Sequence, residues 1–375
     1  MDNSNNSLPG LYLHIPFCKS KCPYCDFYSL TDLSLMPAWL EALKREVLLY
    51  KDTFPCFDTL YLGGGTPSLV DPRQLAILMA CLRRQFDFAP DTEFTLEANP
   101  DDLTPEKLRV YRDLGINRLS LGVQSFDDQE LASLGRRHTA RQAERALKWS
   151  RAAGFTNLGI DLIYGLPGQT EEAWGRNFKK ALRFNPEHLS CYQLTLEEGT
   201  PLGARAAQGY IQLPGEATQR RLFLKTSRFL AEHGYLHYEV SNFARGEAHF
   251  SRHSRKYWRH TPYLGLGPGA HSYLNGRRWW NDRSLTGYCR ALAQGRAPLA
   301  GRETLSADQL RLESLYLGLR TKDGIPLNLV RPRPGWGEVL ADLKRAGLVK
   351  VRPPRVVPTL KGFLVADRLP LRLAD

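Results

Sequence analysis

Leu11-Tyr-Leu-His-Ile15 runs almost directly into Cys18-Lys-Ser-Lys-Cys22-Pro-Tyr-Cys25. A short apolar run that empties into three cysteines reads as a strand delivering a ligand loop. Three thiolates at this spacing can hold three corners of a cubane iron–sulfur cluster. A fourth ligand is missing nearby, because the position two beyond Cys25 is Phe27. One iron of such a [4Fe–4S] cluster is left open, much as catalytic zinc sites keep an open position. The amino and carboxylate groups of S-adenosylmethionine (SAM) can chelate that iron. An electron from the reduced cluster then cleaves the sulfonium to a 5′-deoxyadenosyl radical, with the protein orienting the cofactors and excluding water. Lys19 and Lys21 would lower the thiolates' pKa and favour ligation. Two other readings stand beside this one. A structural zinc wants a fourth Cys or His, and none is close in sequence. A Cys22/Cys25 redox pair leaves Cys18 unexplained.

The run before the loop is the first of six. Leu11–Ile15, Thr59–Leu62, Glu93–Glu97, Arg118–Val123, Asn157–Ile163 and His188–Leu196 read as strands. Between them lie amphipathic stretches, Ala38–Tyr50, Gln74–Leu82, Pro105–Leu114, Ala140–Ala153 and Glu171–Phe184. The first places Trp39, Leu40, Leu43, Val47 and Tyr50 near one face. Thr104 before Pro105 is an N-cap followed by proline at the first helical position, and Gly115 and Gly154 fall where helices should stop. Successive βα units predict a parallel sheet. The strands end in residues a packed core would not choose: the cysteine loop, Gly63-Gly64-Gly65-Thr66-Pro67, Glu97-Ala-Asn99-Pro100 and Gln124-Ser125. The fifth carries Asp161 inside an apolar run. Special residues at strand C-termini mark the functional face of a barrel. The expected fold is α/β: an incomplete (βα)6 barrel over 1–200, an extension over 201–300, and a small winged-helix-like domain over 301–375. The last follows from a helix starting at about Leu305, a turn at Asp323-Gly324, a helix at Gly337–Ala346 and a strand–turn–strand over Leu348–Val365.

Composition narrows the class. With 375 residues, 42% hydrophobic and 24% charged, the chain reads as an ordinary soluble globular protein. No apolar stretch is long enough to span a bilayer, and Met1–Pro9 lacks a signal peptide's apolar run, so a cytoplasmic location is expected. Seven cysteines, with Cys56, Cys81, Cys191 and Cys289 scattered, do not suit a disulfide framework. The net charge is +12, and residues 331–375 hold ten Lys/Arg against four Asp/Glu. That tail suits an anionic lipid surface or acidic partner, so peripheral membrane association stays open. Without an aromatic basic stripe or zinc-finger spacing it gives no nucleic-acid signal.

The cysteine loop, including Tyr24 before its last cysteine, resembles the radical-SAM superfamily. Tyr12-Leu-His-Ile-Pro-Phe-Cys18, Gly-Gly-Gly-Thr66-Pro-Ser, Glu97-Ala-Asn-Pro, Gly122-Val-Gln124-Ser-Phe and Asp161-Leu-Ile-Tyr-Gly-Leu-Pro are together similar to the oxygen-independent coproporphyrinogen III oxidase family. The resemblance implies that Tyr12 bonds the carboxylate end of SAM, Gly64 meets its amino group and Glu97 accepts from the ribose hydroxyls. It implies that Tyr24, Gly65, Thr66, Gln124, Arg136 and Asp161 line a second SAM-sized site. Read without it, Glu97 and Asp161 are buried polar groups and Arg136 a surface charge.

Two departures matter. Phe27 stands where those oxidases place a further cysteine, and only eleven residues precede Tyr12. Both features resemble the HemW-type branch of haem chaperones, which carries a His-Asn-x-x-Tyr-Trp motif linked to haem. Here the string is His253-Ser-Arg-Lys-Tyr257-Trp258, with Ser254 in place of Asn. His253 is the expected iron ligand, with His271 as an alternative. Tyr257 and Trp258 would offer flat surface, and Arg252, Arg255, Lys256 and Arg259 would pair propionates. The resemblance thus implies a [4Fe–4S] cluster, SAM and haem as cofactors, with haem-acceptor proteins as partners. It leaves radical oxidation of coproporphyrinogen III, or of another substrate, as alternative activities. Dimerisation is expected if haem or cluster sits at an interface.

Overall fold

The computed structural model describes residues 7–330 and 335–374, so Met1–Asn6 and, in the basic tail, Arg331, Arg333 and Asp375 lie outside the described residues. Six parallel strands carry the architecture: β1 (Gly10–Ile15), β2 (Cys56–Gly64), β3 (Asp87–Ala98), β4 (Arg118–Gln124), β5 (Leu158–Tyr164) and β6 (His188–Gln193). The helices between them are α1 (Met36–Leu48), α2 (Pro72–Gln85), α3 (Pro105–Asp113), α4 (Asp128–Ser133), α5 (Ala140–Ala152) and α6 (Glu171–Leu182). Thr104 caps α3 through the Lys107 amide with Pro105 in the first turn, and Thr139 closes a capping box with Gln142 on α5. Each strand alternates. Leu11, Leu13 and Ile15 are fully buried toward the helices, which leaves Tyr12 and His14 on the opposite face. The expected stripe of α1 is in place, with Trp39, Leu40, Leu43 and Val47 buried and Tyr50 packed beside them.

The sheet does not stop at six strands. After α7 (Pro201–Ala207) and α8 (Glu216–Glu232), the hairpin of β7 (Leu236–Glu239) and β8 (Asn242–Ala244) joins the sheet, with β8 antiparallel to β6 and β7 antiparallel to β8. A short helix, α9 (Arg252–Trp258), follows. Then β9 (Tyr263–Leu266) pairs parallel to the free side of β1, and β10 (His271–Leu274), β11 (Arg277–Asn281) and β12 (Leu299–Thr304) extend the edge antiparallel. The order is β12-β11-β10-β9-β1-β2-β3-β4-β5-β6-β8-β7, so the barrel is incomplete and open. The stretch over 249–281 reads in sequence as aromatic, basic and glycine-rich. It forms α9 and three strands, of which β9 finds its partner β1 far away in the chain while β10 and β11 pair with their sequence neighbours.

Beyond α10 (Leu285–Ala293), helix α11 (Ala307–Gly318) begins a small unit with its own core. It holds β13 (Ile325–Pro326), α12 (Trp336–Arg345), β14 (Val349–Arg352), β15 (Arg355–Pro358), α13 (Leu360–Phe363) and α14 (Leu369–Ala374). Its three strands form a separate sheet, β13-β15-β14, the helix–strand–helix–hairpin order of a winged helix. Among the described residues no helix is long and apolar enough to cross a membrane.

Candidate functional site

The parallel strands bring their C-terminal ends together, and the cysteine loop leaves the end of β1. It is anchored at its base, where the Cys18 amide donates to Leu30 O at 2.9 Å and the Cys25 amide to Cys22 O at 3.1 Å. All three cysteines are free and half-exposed. Neighbouring strand ends reach the sulfurs: Thr66 Oγ1 donates to Cys18 Sγ at 3.3 Å, and Arg136 Nη1 to Cys22 Sγ at 3.4 Å. Burial pushes the Cys25 thiol up, against a smaller downward pull from Lys21. Lys19 does not act as expected, because its ammonium lies 2.6 Å from the buried Asp102 carboxylate.

The glycine run that ends β2 is shaped by close approach. Gly64 has φ +105°, and a Cβ there would sit 2.6 Å from the His14 ring. A Cβ on Gly65 would meet Phe17 O at 2.6 Å and Ile15 O at 2.8 Å. The Gly65 amide donates to Ile15 O at 2.8 Å and the Thr66 amide to Phe17 O at 2.7 Å, which sews this loop to the start of the cysteine loop.

Tyr12, Tyr61, Glu97 and Asp161 lie on the polar face of neighbouring strands. Tyr12 OH is 3.1 Å from His14 Nδ1, and its phenol is pushed up by burial and by Glu97. Tyr61 OH donates to Glu97 Oε1 at 2.6 Å. Burial raises the Glu97 carboxyl to about 7, against the bond from Tyr61. Asp161 accepts from Ser120 Oγ at 3.3 Å, and burial raises it too. A β-bulge between Leu121 and Gln124 turns the end of β4, and Gln124 takes φ +66° there. Arg136 is not a surface charge. It donates to Asn99 Oδ1 and to Gly122 O at 2.9 Å, and it stands beside the Tyr24 phenol. Its Nε is buried without a partner, as is that of Arg118 in the same interior.

These residues fit the expected groups. Three sulfurs share one loop with a hydroxyl and a guanidinium donating to two of them. The loop borders a glycine cradle that side chains would fill and a polar wall with an unmade hydrogen bond. The structure therefore brings Cys18, Cys22, Cys25, Tyr12, Tyr24, Gly64, Gly65, Thr66, Glu97, Gln124, Arg136 and Asp161 to one end of the sheet. Sequence reasoning assigned no role to Asn99, which accepts from Arg136 and donates to Thr66 Oγ1 at 3.3 Å. Its signal was present, a polar side chain directly after a strand. His14 was also missed, although period two puts it on the face of Tyr12.

The 253–258 segment departs from expectation. His253 is 1% exposed. Its Nδ1 is 2.9 Å from Thr59 Oγ1 and its Nε2 is 2.8 Å from Tyr257 OH, so both ring nitrogens are engaged. Burial lowers it to about 3, which keeps it neutral. The ring stacks on Tyr61 at 5.1 Å and packs beneath the Tyr12 layer. Here His253 is a packing element of the sheet's interior and presents no free nitrogen to iron. The four expected propionate partners are already paired, Arg252 and Lys256 with Asp58, and Arg255 and Arg259 with Asp323. Trp258 does not join Tyr257 in one flat platform. It lies against Arg320 on the side of Tyr238 and Phe250, whereas Tyr257 faces Tyr263. The alternative ligand, His271, is an exposed residue of β10 stacked on Trp280 at 5.7 Å.

Comparison with known proteins extends this geometry. The profile of the Radical SAM superfamily matches residues 12–181. The haem chaperone HemW of Mycobacterium tuberculosis is 38% identical over 368 residues, covering 96% of this chain and 93% of that protein. HemW of Bacillus subtilis is 33% identical, covering 96% of this chain and 98% of that one. The solved structure of the coproporphyrinogen III oxidase HemN from Escherichia coli, a radical SAM enzyme, matches with a TM-score of 0.83 at 26% identity, over 98% of this chain and 90% of that one.

Proposed function

This chain belongs to the HemW family of haem chaperones within the radical SAM superfamily, and from that membership we propose that it binds haem and hands it to acceptor haemoproteins. The observation that carries the reading is kinship along almost the whole length, small C-terminal unit included. Phe27 agrees with it: at 70% exposure it stands free where the oxidase family places a further cysteine.

Cys18, Cys22 and Cys25 are the residues that would hold a [4Fe–4S] cluster. When bound, the cluster and SAM supply reductive electron transfer. Thr66 and Arg136 donate to two of the sulfurs and offset their charge. Tyr12 and Gly64 would meet the methionyl end of SAM and Glu97 its ribose hydroxyls. Tyr24, Gly65, Thr66, Gln124, Arg136 and Asp161 would line further space beside it. Buried between Ser120 and the interior arginines, Asp161 is a carboxylate that can take up or release a proton at its oxygens.

The test is direct. Anaerobically purified protein should retain haem and transfer it to an apo-haemoprotein, and protein that retains none would end the reading. The likeness to HemN favours one second reading, oxidative decarboxylation of coproporphyrinogen III. Formation of protoporphyrinogen with reductant and SAM would establish it; a null assay would remove it.

A further inference from the structure

Asn99 stands where an asparagine is ordinarily spent on a cap. It precedes the short turn Pro100–Asp102 that follows β3, yet its side chain makes no bond to the amides of that turn. Pro100 holds the Asn99 backbone extended, with φ −90° and ψ 141°, and the Asn99 amide donates to Ser68 Oγ at 3.2 Å. The buried Ser68 hydroxyl in turn donates to Asp102, which grips Lys19 of the cysteine loop. The side chain of Asn99 is thus presented from a fixed base.

Its two ends meet different partners. Nδ2 donates to Thr66 Oγ1 at 3.3 Å, and Oδ1 accepts from Arg136 Nη2. Those partners are the two groups that reach the sulfurs, Thr66 Oγ1 at 3.3 Å from Cys18 Sγ and Arg136 Nη1 at 3.4 Å from Cys22 Sγ. The chemistry fixes which way the amide lies. A guanidinium only donates, so the carbonyl end must face Arg136 and the amino end Thr66. A hydroxyl carries one proton and two lone pairs. With Asn99 donating into a lone pair, the Thr66 proton is left for Cys18. On the other side, Arg136 Nη2 is pinned by Asn99 and by Gly122 O at 2.9 Å, which aims the second arm of the planar fork at Cys22. Among the described residues no other side chain bonds both donors.

We propose that Asn99 is a positioning residue for the iron–sulfur centre: one amide directs the Thr66 hydroxyl proton to the Cys18 sulfur and the Arg136 guanidinium to the Cys22 sulfur, and so sets the potential at which the cluster takes its electron. The proposal rests on Cys18, Cys22 and Cys25 as the cluster's ligands and adds the residue that tunes them. Asparagine is the side chain this task demands. Aspartate would still pair Arg136 but has no proton for Thr66, whose own proton would turn to the carboxylate and leave the sulfur. Leucine would fill the space and orient neither donor. Weaker hydrogen bonding at the sulfurs lowers a cluster's reduction potential.

The experiment reconstitutes full-length protein with iron and sulfide and titrates the cluster's potential by electron paramagnetic resonance. Electron–nuclear double resonance in H2O and D2O then counts the exchangeable protons coupled to the reduced cluster. Asn99→Leu should keep its iron and disfavour the reduced form by roughly fivefold, a shift of about 40 mV to the negative at about 59 mV per tenfold for one electron. In a Thr66→Val/Arg136→Met background the same change should alter that equilibrium by less than about twofold, because nothing is left for Asn99 to act through. Asn99→Asp, which keeps the shape of the amide, should lose one coupled exchangeable proton, the same one that Thr66→Val removes. A wild-type potential in Asn99→Leu, an undiminished shift in the double-variant background, or full proton coupling in Asn99→Asp would each overturn the proposal. So would iron lost from the Asn99 variants but kept by Thr66→Val/Arg136→Met, since Asn99 would then support the loop itself. Wild-type protein that takes up no cluster would instead refute the ligand set.

Discussion

The Arg136 guanidinium donates to the Cys22 sulfur at 3.4 Å across a sequence separation of 114 residues. Hydrogen bonds and positive charge at cluster sulfurs raise a cluster's reduction potential. Arg136→Met should therefore keep its iron but move the potential of the reconstituted cluster negative. The shift should be on the order of 60 mV if the lost interaction is about 1.4 kcal/mol, the one-electron equivalence. Redox titration followed by electron paramagnetic resonance measures it. A potential equal to wild type would mean that Arg136 does not touch the cluster's electronics.

Cys18→Ala, Cys22→Ala and Cys25→Ala should each abolish the brown colour and the iron of anaerobically purified protein. Cys289→Ala, a half-exposed thiol on α10 bonded only to Ala38 O, should not. Iron analysis decides; four irons per chain in the triple variant would refute the ligand set.

The Glu97 carboxyl, raised to about 7 mainly by burial, is largely protonated at pH 6 and ionised at pH 8. Donation from ribose hydroxyls favours the ionised form, so SAM affinity should rise with pH, by about tenfold between pH 6 and 8. Glu97→Gln should bind more weakly and lose the dependence. Calorimetry at several pH values tests this, and a flat wild-type profile would remove Glu97 from the ribose contact.

Glu46 is a fully buried carboxylate in the middle of the apolar stripe of α1. It accepts from Tyr288 OH at 2.6 Å, from the Gly267 amide at 2.8 Å and from Asn281. Burial still wins and lifts it to about 7 from the ordinary 4.5. A carboxyl raised on folding contributes stability that is complete below pH 4.5 and lost as pH climbs through 7. The loss is roughly 3 kcal/mol, from about 1.4 kcal/mol per unit. Wild-type protein should therefore melt lower at pH 8 than at pH 5, and Glu46→Gln should flatten that slope. Scanning calorimetry of both proteins is the check; parallel slopes would count against it.

What could be read from sequence was what is local. The cysteine loop, the Thr104-Pro105 cap and the stripe of Trp39, Leu43 and Val47 depend on residues within a few turns of each other, so spacing reveals them. His253 and Glu46 could not be read that way. His253 looks like an available ligand until Thr59 and Glu93, some 160 to 194 residues earlier, close around it. Glu46 interrupts an apolar face and finds its donors only beyond residue 266. The strands β9 to β11 lack clean alternation, and Tyr263 and Arg278 there face Tyr257 of α9 and Glu313 of α11, partners that local spacing does not reveal. Lys19 beside two cysteines suggested charge stabilisation, but Asp102, brought in by the turn after β3, takes its ammonium first.

β1 lies inside the finished sheet, with Gly10 opposite Thr59 on one side and Tyr263 on the other. As the chain leaves the ribosome, the first neighbour follows soon and the second arrives only after most of the protein has been made. Through that interval a row of unpaired amides and carbonyls beside the cysteines stays open to any stray strand. Nascent chains stalled before residue 263 should therefore be the aggregation-prone species, and chains released past residue 281 the ones that can receive iron and sulfide.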